Sequence, residues 1–389
     1  MEALILSCGT GGGHNSAAYA IKEELIRRKE RVVMMNPYSL CSRKMAARID
    51  HVYVSLVQKM PEAFGLIYQL GEIYRKLPFR SPLYWLNGRM VPVMEAYLRK
   101  NHFDIIIMTH FFPAEIMTQM KDRGIKIPKT VLVATDYTCI PFTEETDCDA
   151  YVIPVSGLVD EFKNKGIPEE KIYPLGIPTL SVFSSEMSRK DARKKLKLRK
   201  KDRYILVSGG SIGAGKLVKV INLLYEQIGT KVKMIVICGS NRKLYDKLLK
   251  KYGGKIRIIH HTNQMADYLR ACDLYLTKPG GLSSTEAAVM GVALVHLPPI
   301  PGCETKNAEF YHLHGMSLRM RTVKKDMKQA LALMTDSAWQ NEMIDRQCEV
   351  LPDNAAARIC NLATNMVRDA DKIVLFKNAK VHKEFTKGN

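Results

Sequence analysis

The sequence predicts an α/β chain of two Rossmann-like domains facing across a cleft. Two stretches open alike: Ala3 to Ser7 runs into Gly9-Thr10-Gly11-Gly12-Gly13-His14, and Tyr204 to Ser208 runs into Gly209-Gly210-Ser211-Ile212-Gly213. A short apolar run, a glycine turn and a helix pattern are how a doubly wound domain begins. Further strand-length apolar runs follow each opening, separated by stretches of helical spacing. Length agrees, because 389 residues suit two domains that each bury a core. The expected division is a first domain over 1–178, a basic linker over 179–201, a second domain over 202–355, and a C-terminal helix with a basic tail over 356–389.

Composition narrows the class. No apolar stretch approaches the roughly 20 residues of a transmembrane helix. Met1-Glu2 leads straight into the first apolar run, without a signal-peptide pattern. Nine cysteines without C-x-x-C spacing indicate neither a disulfide framework nor a zinc site, so a reducing cytosol is the expected compartment. The formal charge of +20 suits nucleic acid, an anionic membrane surface or a phosphorylated substrate. No zinc finger, RNP signature or basic region with heptads accompanies it, so no nucleic-acid partner is expected. A membrane face is preferred, with plain solubility as the alternative.

In the first half, Ala3 to Ser7 reads as a buried strand, and a helix pattern follows through Ala17, Ala20, Ile21 and Leu25. His14 stands where a dinucleotide fingerprint has its third glycine, which argues against NAD. Taken by itself, an imidazole there reads as a polar helix-start residue. Val32 to Met35 gives a second strand. Residues 49–101 have helical spacing, are rich in Tyr, Leu, Met and Phe, and are broken by Pro61, Pro78, Pro82 and Pro92. They read either as a helical layer or as an interfacial surface that dips apolar side chains into lipid. Asp104 to Met108 and Thr130 to Ala134 are strands whose carboxyl ends carry His110 and Asp136, where open α/β sheets bind ligands. Asp147-Cys148-Asp149 spells D-x-D before a short strand, Ala150 to Ile153; a metal site and a solvated pair are both compatible with it.

Between the halves, Arg189 to Arg203 holds ten basic residues against two aspartates and reads as a solvated linker and first helix. Gly210 to Lys216 fits G-x-x-x-x-G-K, but Leu217 follows where a P-loop needs Ser or Thr for magnesium. Lys233 to Cys238, Lys255 to Ile259, Asp273 to Thr277 and Ala293 to Leu297 are further strands. The third stops at Pro279-Gly280-Gly281, and a helix begins at once with Ser283, Ser284 and Thr285 as candidate caps. Glycines let a backbone approach a ligand closely, and a helix start offers free N–H groups and a positive dipole end to a phosphate. Glu286, one turn in, is placed to accept hydrogen bonds from a ribose. Pro352 to Arg368 reads as an amphipathic helix able to cross back to the first domain, and Lys372 to Asn389 as an unpatterned basic tail.

Lys278 to Ala287 (KPGGLSSTEA) resembles the donor-site signature of the glycosyltransferases that include bacterial diacylglycerol glucosyltransferases, plant galactolipid synthases and the lipid II N-acetylglucosaminyltransferase. The resemblance extends to a GGGH loop at Gly11 to His14, a T-D-[YFL] segment at Thr135 to Tyr137, a G-G-S-x-G loop at Gly209 to Gly213, and a G-Q-E-x-x-N-A segment at Gly302 to Ala308. It departs at Cys303, where the family has glutamine, around Ile140 to Phe142, where a histidine is usual, and at His261, where an aromatic is usual. It implies the glycosyltransferase-B fold and an inverting transfer of a hexose from a UDP-sugar to a membrane lipid, diacylglycerol or a glycosyl-diacylglycerol. His14 or Asp136 would be the base. Gly210, Ser211, His261, Gly280, Gly281, Ser283, Glu286, Glu304 and Asn307 would hold the donor, and Gly12, Gly13 and His110 would lie on the acceptor side. No metal or other cofactor is expected. The enzyme would sit peripherally on the inner face of the cell membrane, against anionic lipid. The alternatives are a same-fold transferase with a polyprenyl-linked or soluble acceptor, a UDP-sugar epimerase or hydrolase, and a non-catalytic membrane-associated scaffold.

Overall fold

The computed structural model describes residues 1–9, 11–213, 215, 217–229 and 232–369. Two six-stranded sheets form its two centres. The first holds β1 (Glu2–Leu6), β2 (Arg31–Met35), β3 (Ile105–Met108), β4 (Lys129–Val133), β5 (Ala150–Ile153) and β6 (Ile172–Pro174), in the order β2-β1-β3-β4-β5-β6. The second holds β7 (Arg203–Ser208), β8 (Val232–Ile237), β9 (Arg257–Ile259), β10 (Leu274–Thr277), β11 (Leu294–His296) and β12 (Leu318–Arg319), in the order β12-β11-β10-β7-β8-β9. Every pairing is parallel; Leu4, for instance, sits opposite Val33 on one side and Ile106 on the other. The inner strands are almost wholly apolar, as in IIIM of β3 and AYVI of β5, because helices cover both faces.

Strand order reverses between β1 and β3 in the first sheet and between β7 and β10 in the second. Ligands of open α/β sheets bind outside the carboxyl ends of the strands at such a switch point. The loops there hold Gly9 and Gly11 to Gly13, Thr109-His110, Gly209 to Gly213 and Lys278 to Gly281. The fold thus brings the glycine-rich motifs of both halves to one cleft.

The prolines of residues 49–101 punctuate the helices by starting them. Pro61 and Pro82 open helices Pro61–Tyr74 and Pro82–Asn87, and Pro92 is second in Val91–Lys100. An early helical position suits proline, since its missing N–H would have no partner there anyway. Ser42 caps the preceding helix, Arg43–Lys59, and Ser81 caps Pro82–Asn87. The outer side of this layer is apolar and exposed at Leu66, Ile67, Leu70, Ile73, Phe79 and Trp85. Among the described residues no helix is long and apolar enough to cross a membrane.

The solvated reading of Arg189 to Arg203 fails at Arg193. Its guanidinium is buried, donates to Ala271 O at 2.9 Å and Asp273 Oδ2 at 2.8 Å, and lies over the Tyr204 ring. A helix over 355–369 returns to the first sheet and buries Ile359, Cys360 and Ala363 among Ala3, Ile5, Ile21 and Leu25. The chain therefore passes between the two sheets twice. The passages touch at Gly176 (φ +100°), where a Cβ would stand 2.8 Å from that of Ala355 and 3.4 Å from that of Pro352. The basic tail beyond residue 369 lies outside the described residues.

Candidate active site

At the meeting of the switch points lies a cleft of about 120 Å³, lined from the first domain by Gly12, Gly13, His14 and Asp136 and from the second by Gly210, Ser211, Lys278, Gly280, Gly281, Ser283 and Glu304. Helices Gly12–Arg27 and Gly281–Val289 both begin at its wall. Two positive dipole ends and the Lys278 ammonium thus face one space, an arrangement suited to a diphosphate. The first turn of Gly281–Val289 takes no side-chain cap. The expected capping by Ser284 and Thr285 is overturned, because Ser284 Oγ pairs with His296 Nε2 at 2.9 Å and Thr285 Oγ1 donates to Gly281 O at 2.7 Å. The helix start is left free for a ligand.

His14 is held by its Nδ1, 2.7 Å from Thr109 O and 3.0 Å from Thr135 Oγ1. A carbonyl only accepts, so Nδ1 carries the proton and Nε2 keeps the lone pair. Burial lowers the His14 pKa from its usual 6.5, against the raising influence of Asp136. The ring is therefore neutral at pH 7 and equipped to take a proton. His110 stands edge-on to it, ring centroids 4.6 Å apart, and burial holds it well below the usual imidazole value, with His14 adding to the effect. His110 Nδ1 accepts from Phe112 N at 3.1 Å, so this histidine caps helix Phe111–Asp122. Both rings border a smaller hollow of about 30 Å³ inside the first domain, beside Phe111, Ile140 and Phe162.

A second opening, of about 500 Å³, runs along the second domain and is bordered by Gly210, Ser211, Ser283, Glu286 and His261. Burial pushes the Glu286 carboxyl up to about 8. A carboxyl so placed, half-buried at a helix start, suits the hydroxyls of a ribose. Ser211 Oγ also accepts from Gly12 N at 3.0 Å, which joins the two glycine loops.

Three expected donor residues are put to other use. Asn307 is fully buried: its Oδ1 accepts from Tyr137 N at 2.7 Å, and its Nδ2 donates to Asp136 Oδ1 at 2.7 Å and Pro279 O at 3.0 Å. This amide fastens the two domains together and has no group left for a hexose. Glu304 takes the Lys278 ammonium on Oε1 and Ile300 N on Oε2. At Gly281 a Cβ would lie 1.9 Å from Thr135 O, so this glycine permits the domains to approach as well as a ligand.

Sequence reasoning missed Tyr137 and Lys278. Tyr137 leaves the first domain and buries its ring against Phe310, centroids 4.8 Å apart. Tyr311 donates to its hydroxyl at 3.0 Å, and that hydroxyl donates to Thr285 Oγ1 at 2.7 Å, because the Thr285 proton is given to Gly281. Lys278 stood inside the quoted signature, but only the fold brings Glu304 to it.

Asp147 and Asp149 precede β5, at the end of the sheet remote from the cleft. Asp147 pairs with Lys171 at 2.7 Å. Asp149 pairs with Lys121 and Lys129, and although burial opposes it, hydrogen bonds from Lys129 and Thr130 hold its carboxyl well below the usual range. The D-x-D reading therefore has no structural support. Of the P-loop pattern, Ala214 and Lys216 lie outside the described residues, as does Thr10 of the first loop, and Leu217 begins helix Leu217–Gln227.

Known proteins share this organisation. Residues 14–179 match the monogalactosyldiacylglycerol (MGDG) synthase family and residues 204–343 the glycosyltransferase family 28 C-terminal domain. A processive diacylglycerol beta-glucosyltransferase of Bacillus licheniformis is 26% identical over 347 residues, 87% of this chain and 88% of that protein. Among solved structures, MurG of Acinetobacter baumannii superposes with a TM-score of 0.62 at 15% identity, covering 94% of this chain and 99% of its own. The spinosyn rhamnosyltransferase SpnG with thymidine diphosphate gives 0.64 at 14% identity, covering 93% and 100%. These two likenesses concern the fold, which is of the glycosyltransferase-B type.

Proposed function

From a chain that is a glycosyltransferase, with a first domain of the MGDG synthase kind and a family 28 C-terminal domain, we propose an inverting transfer of a hexose from a UDP-sugar to diacylglycerol or a glycosyl-diacylglycerol. The observation that carries the proposal is the convergence in one cleft of two helix starts, Lys278 and a neutral His14 whose Nε2 is unprotonated. The diphosphate lies on the Gly280-Gly281 helix start and the ribose at Glu286. The acceptor hydroxyl gives its proton to His14 as it attacks the anomeric carbon. Charge on the departing UDP is met by oriented N–H groups, without a metal. Asp136, facing His14 and held by Asn307, stabilises the imidazolium that forms.

The lipid acceptor is supported by the relative's printed name and by the exposed apolar side of residues 60–86. With a charge of +20, that side docks on the anionic inner face of a membrane and delivers the cleft to its acceptor. The test is UDP release from UDP-glucose, UDP-galactose and UDP-N-acetylglucosamine, with and without anionic vesicles containing diacylglycerol. Release that requires both vesicle and diacylglycerol is expected. Release without any acceptor would replace the proposal by an epimerase or hydrolase. His14→Ala and Asp136→Asn should each lower transfer at least a hundredfold while UDP affinity stays within twofold. A near-normal rate in either variant would remove that residue from the reaction.

A further inference from the structure

We propose that Tyr53 and Tyr68, both from first-domain helices, form the outer wall of the hexose subsite and hydrogen-bond the sugar of the donor. The inference rests on the nucleotide-sugar reading above and concerns which residues recognise the sugar.

The second domain has little left to offer a hexose. Asn307 is fully engaged, and Glu304 is paired with Lys278 and Ile300 N. Cys303, which replaces the glutamine of the resembled segment, is a thiol that burial, and next to it Asp136, holds protonated, and it offers a sugar only a weak S–H donor. A sugar hydroxyl needs partners when water is removed, so its recognition must come largely from the opposite wall.

That wall is made by helices Arg43–Lys59 and Pro61–Tyr74, which reach over and seat on the second domain. Gln58 donates to Ile212 O, and Val57 packs with Ile212 and Ile300. A Cβ on Gly65 would stand 2.5 Å from Pro301, and one on Gly302 would stand 3.3 Å from the rings of Phe64 and Tyr68. The contact is therefore close, and it lies at the start of helix Cys303–Leu313, the end of the cleft away from Glu286 and His261.

Tyr53 lines the cleft there together with Phe64, their rings edge to face at 5.6 Å. The Tyr68 hydroxyl is buried and has no hydrogen-bond partner among the described residues. Tyr68 stands just outside the lining of the cleft, its ring against Gly302; a buried hydroxyl is rarely left unpaired, and a sugar seated at that end would supply the missing partner. Burial, and next to it Cys303, raises both phenols well above their usual range, so each remains a neutral O–H at working pH. A flat ring beside a phenolic hydroxyl matches a hexose, which presents a C–H face and equatorial hydroxyls.

The test removes only the hydroxyls, with Tyr53→Phe and Tyr68→Phe. Binding of UDP and of the three UDP-sugars is measured by calorimetry, and donor and acceptor KM are measured in the vesicle assay. UDP affinity should stay within twofold. The affinity for a UDP-sugar relative to UDP should fall about tenfold, donor KM should rise by a similar factor, and glucose–galactose discrimination should narrow. Unchanged donor KM and sugar ranking in both variants would overturn the inference while leaving the transferase reading intact, and so would a change in acceptor KM alone. A wild type that binds every UDP-sugar no differently from UDP and transfers none would overturn both.

Discussion

Among single residues, Glu286 makes the plainest demand on experiment. Its carboxyl is pushed up to about 8 by burial and is protonated at pH 7 in the empty cleft. A ribose diol donates to the ionised form, so binding drives the proton off and affinity should rise with pH. Between pH 6.5 and 8.5 the UDP dissociation constant should fall about tenfold, and Glu286→Gln should flatten the dependence. A flat wild-type profile would show that the carboxyl is not in contact with the nucleotide. That His14, Asp136 and Glu286 border the openings was legible, because each belongs to a loop or helix that leaves the carboxyl end of a strand. Asn307 was not legible: whether an amide faces a sugar or a neighbouring domain depends on how closely the halves approach. That distance is set by Gly281 against Thr135, more than 140 positions apart in sequence.

Strands and glycine turns were readable because an apolar run of four to six residues has few other fates. The helices of residues 43–100 were readable as pieces, since proline marks their starts. Their reach across the cleft was hidden, because no local pattern says which domain a helix will sit on. Arg75 shows what holds that layer in place. Its side chain, only 7% exposed, pairs with Glu144 at 2.5 Å and Glu72 at 3.2 Å, tying the end of helix Pro61–Tyr74 to the loop beyond β4. Removing one partner of a buried pair leaves the other charge unmet, at a cost of about 3–5 kcal/mol. Arg75→Met should therefore lower stability by roughly 3 kcal/mol in denaturant titration and should weaken sugar recognition with it. Arg75→Met together with Glu144→Gln should recover much of the loss; failure to recover would mean that the pair does not anchor the layer.

For the whole molecule, the net charge of +20 and the apolar side of residues 60–86 predict how a membrane is met. Binding to anionic vesicles should weaken several-fold between 0.05 and 0.5 M salt, because the Debye length shortens from roughly 14 to 4 Å. Replacing Leu66, Ile67 and Leu70 by Ser should weaken binding at every salt concentration and leave UDP affinity unchanged. Salt-independent binding would assign the basic surface to solubility alone. The domain pair itself was legible from two openings of one kind, whereas the contact between the two passages at Gly176 was not, being made by residues nearly 180 positions apart. That contact would bear on how substrates enter and leave. Two covalent straps lying against each other would confine any parting of the halves to a turn about that line. Tyr53 and Tyr68 ride on one half and Lys278 on the other, so every swing would take the sugar wall apart and rebuild it. Product escape and selection of the next sugar would then be a single stroke of the same joint.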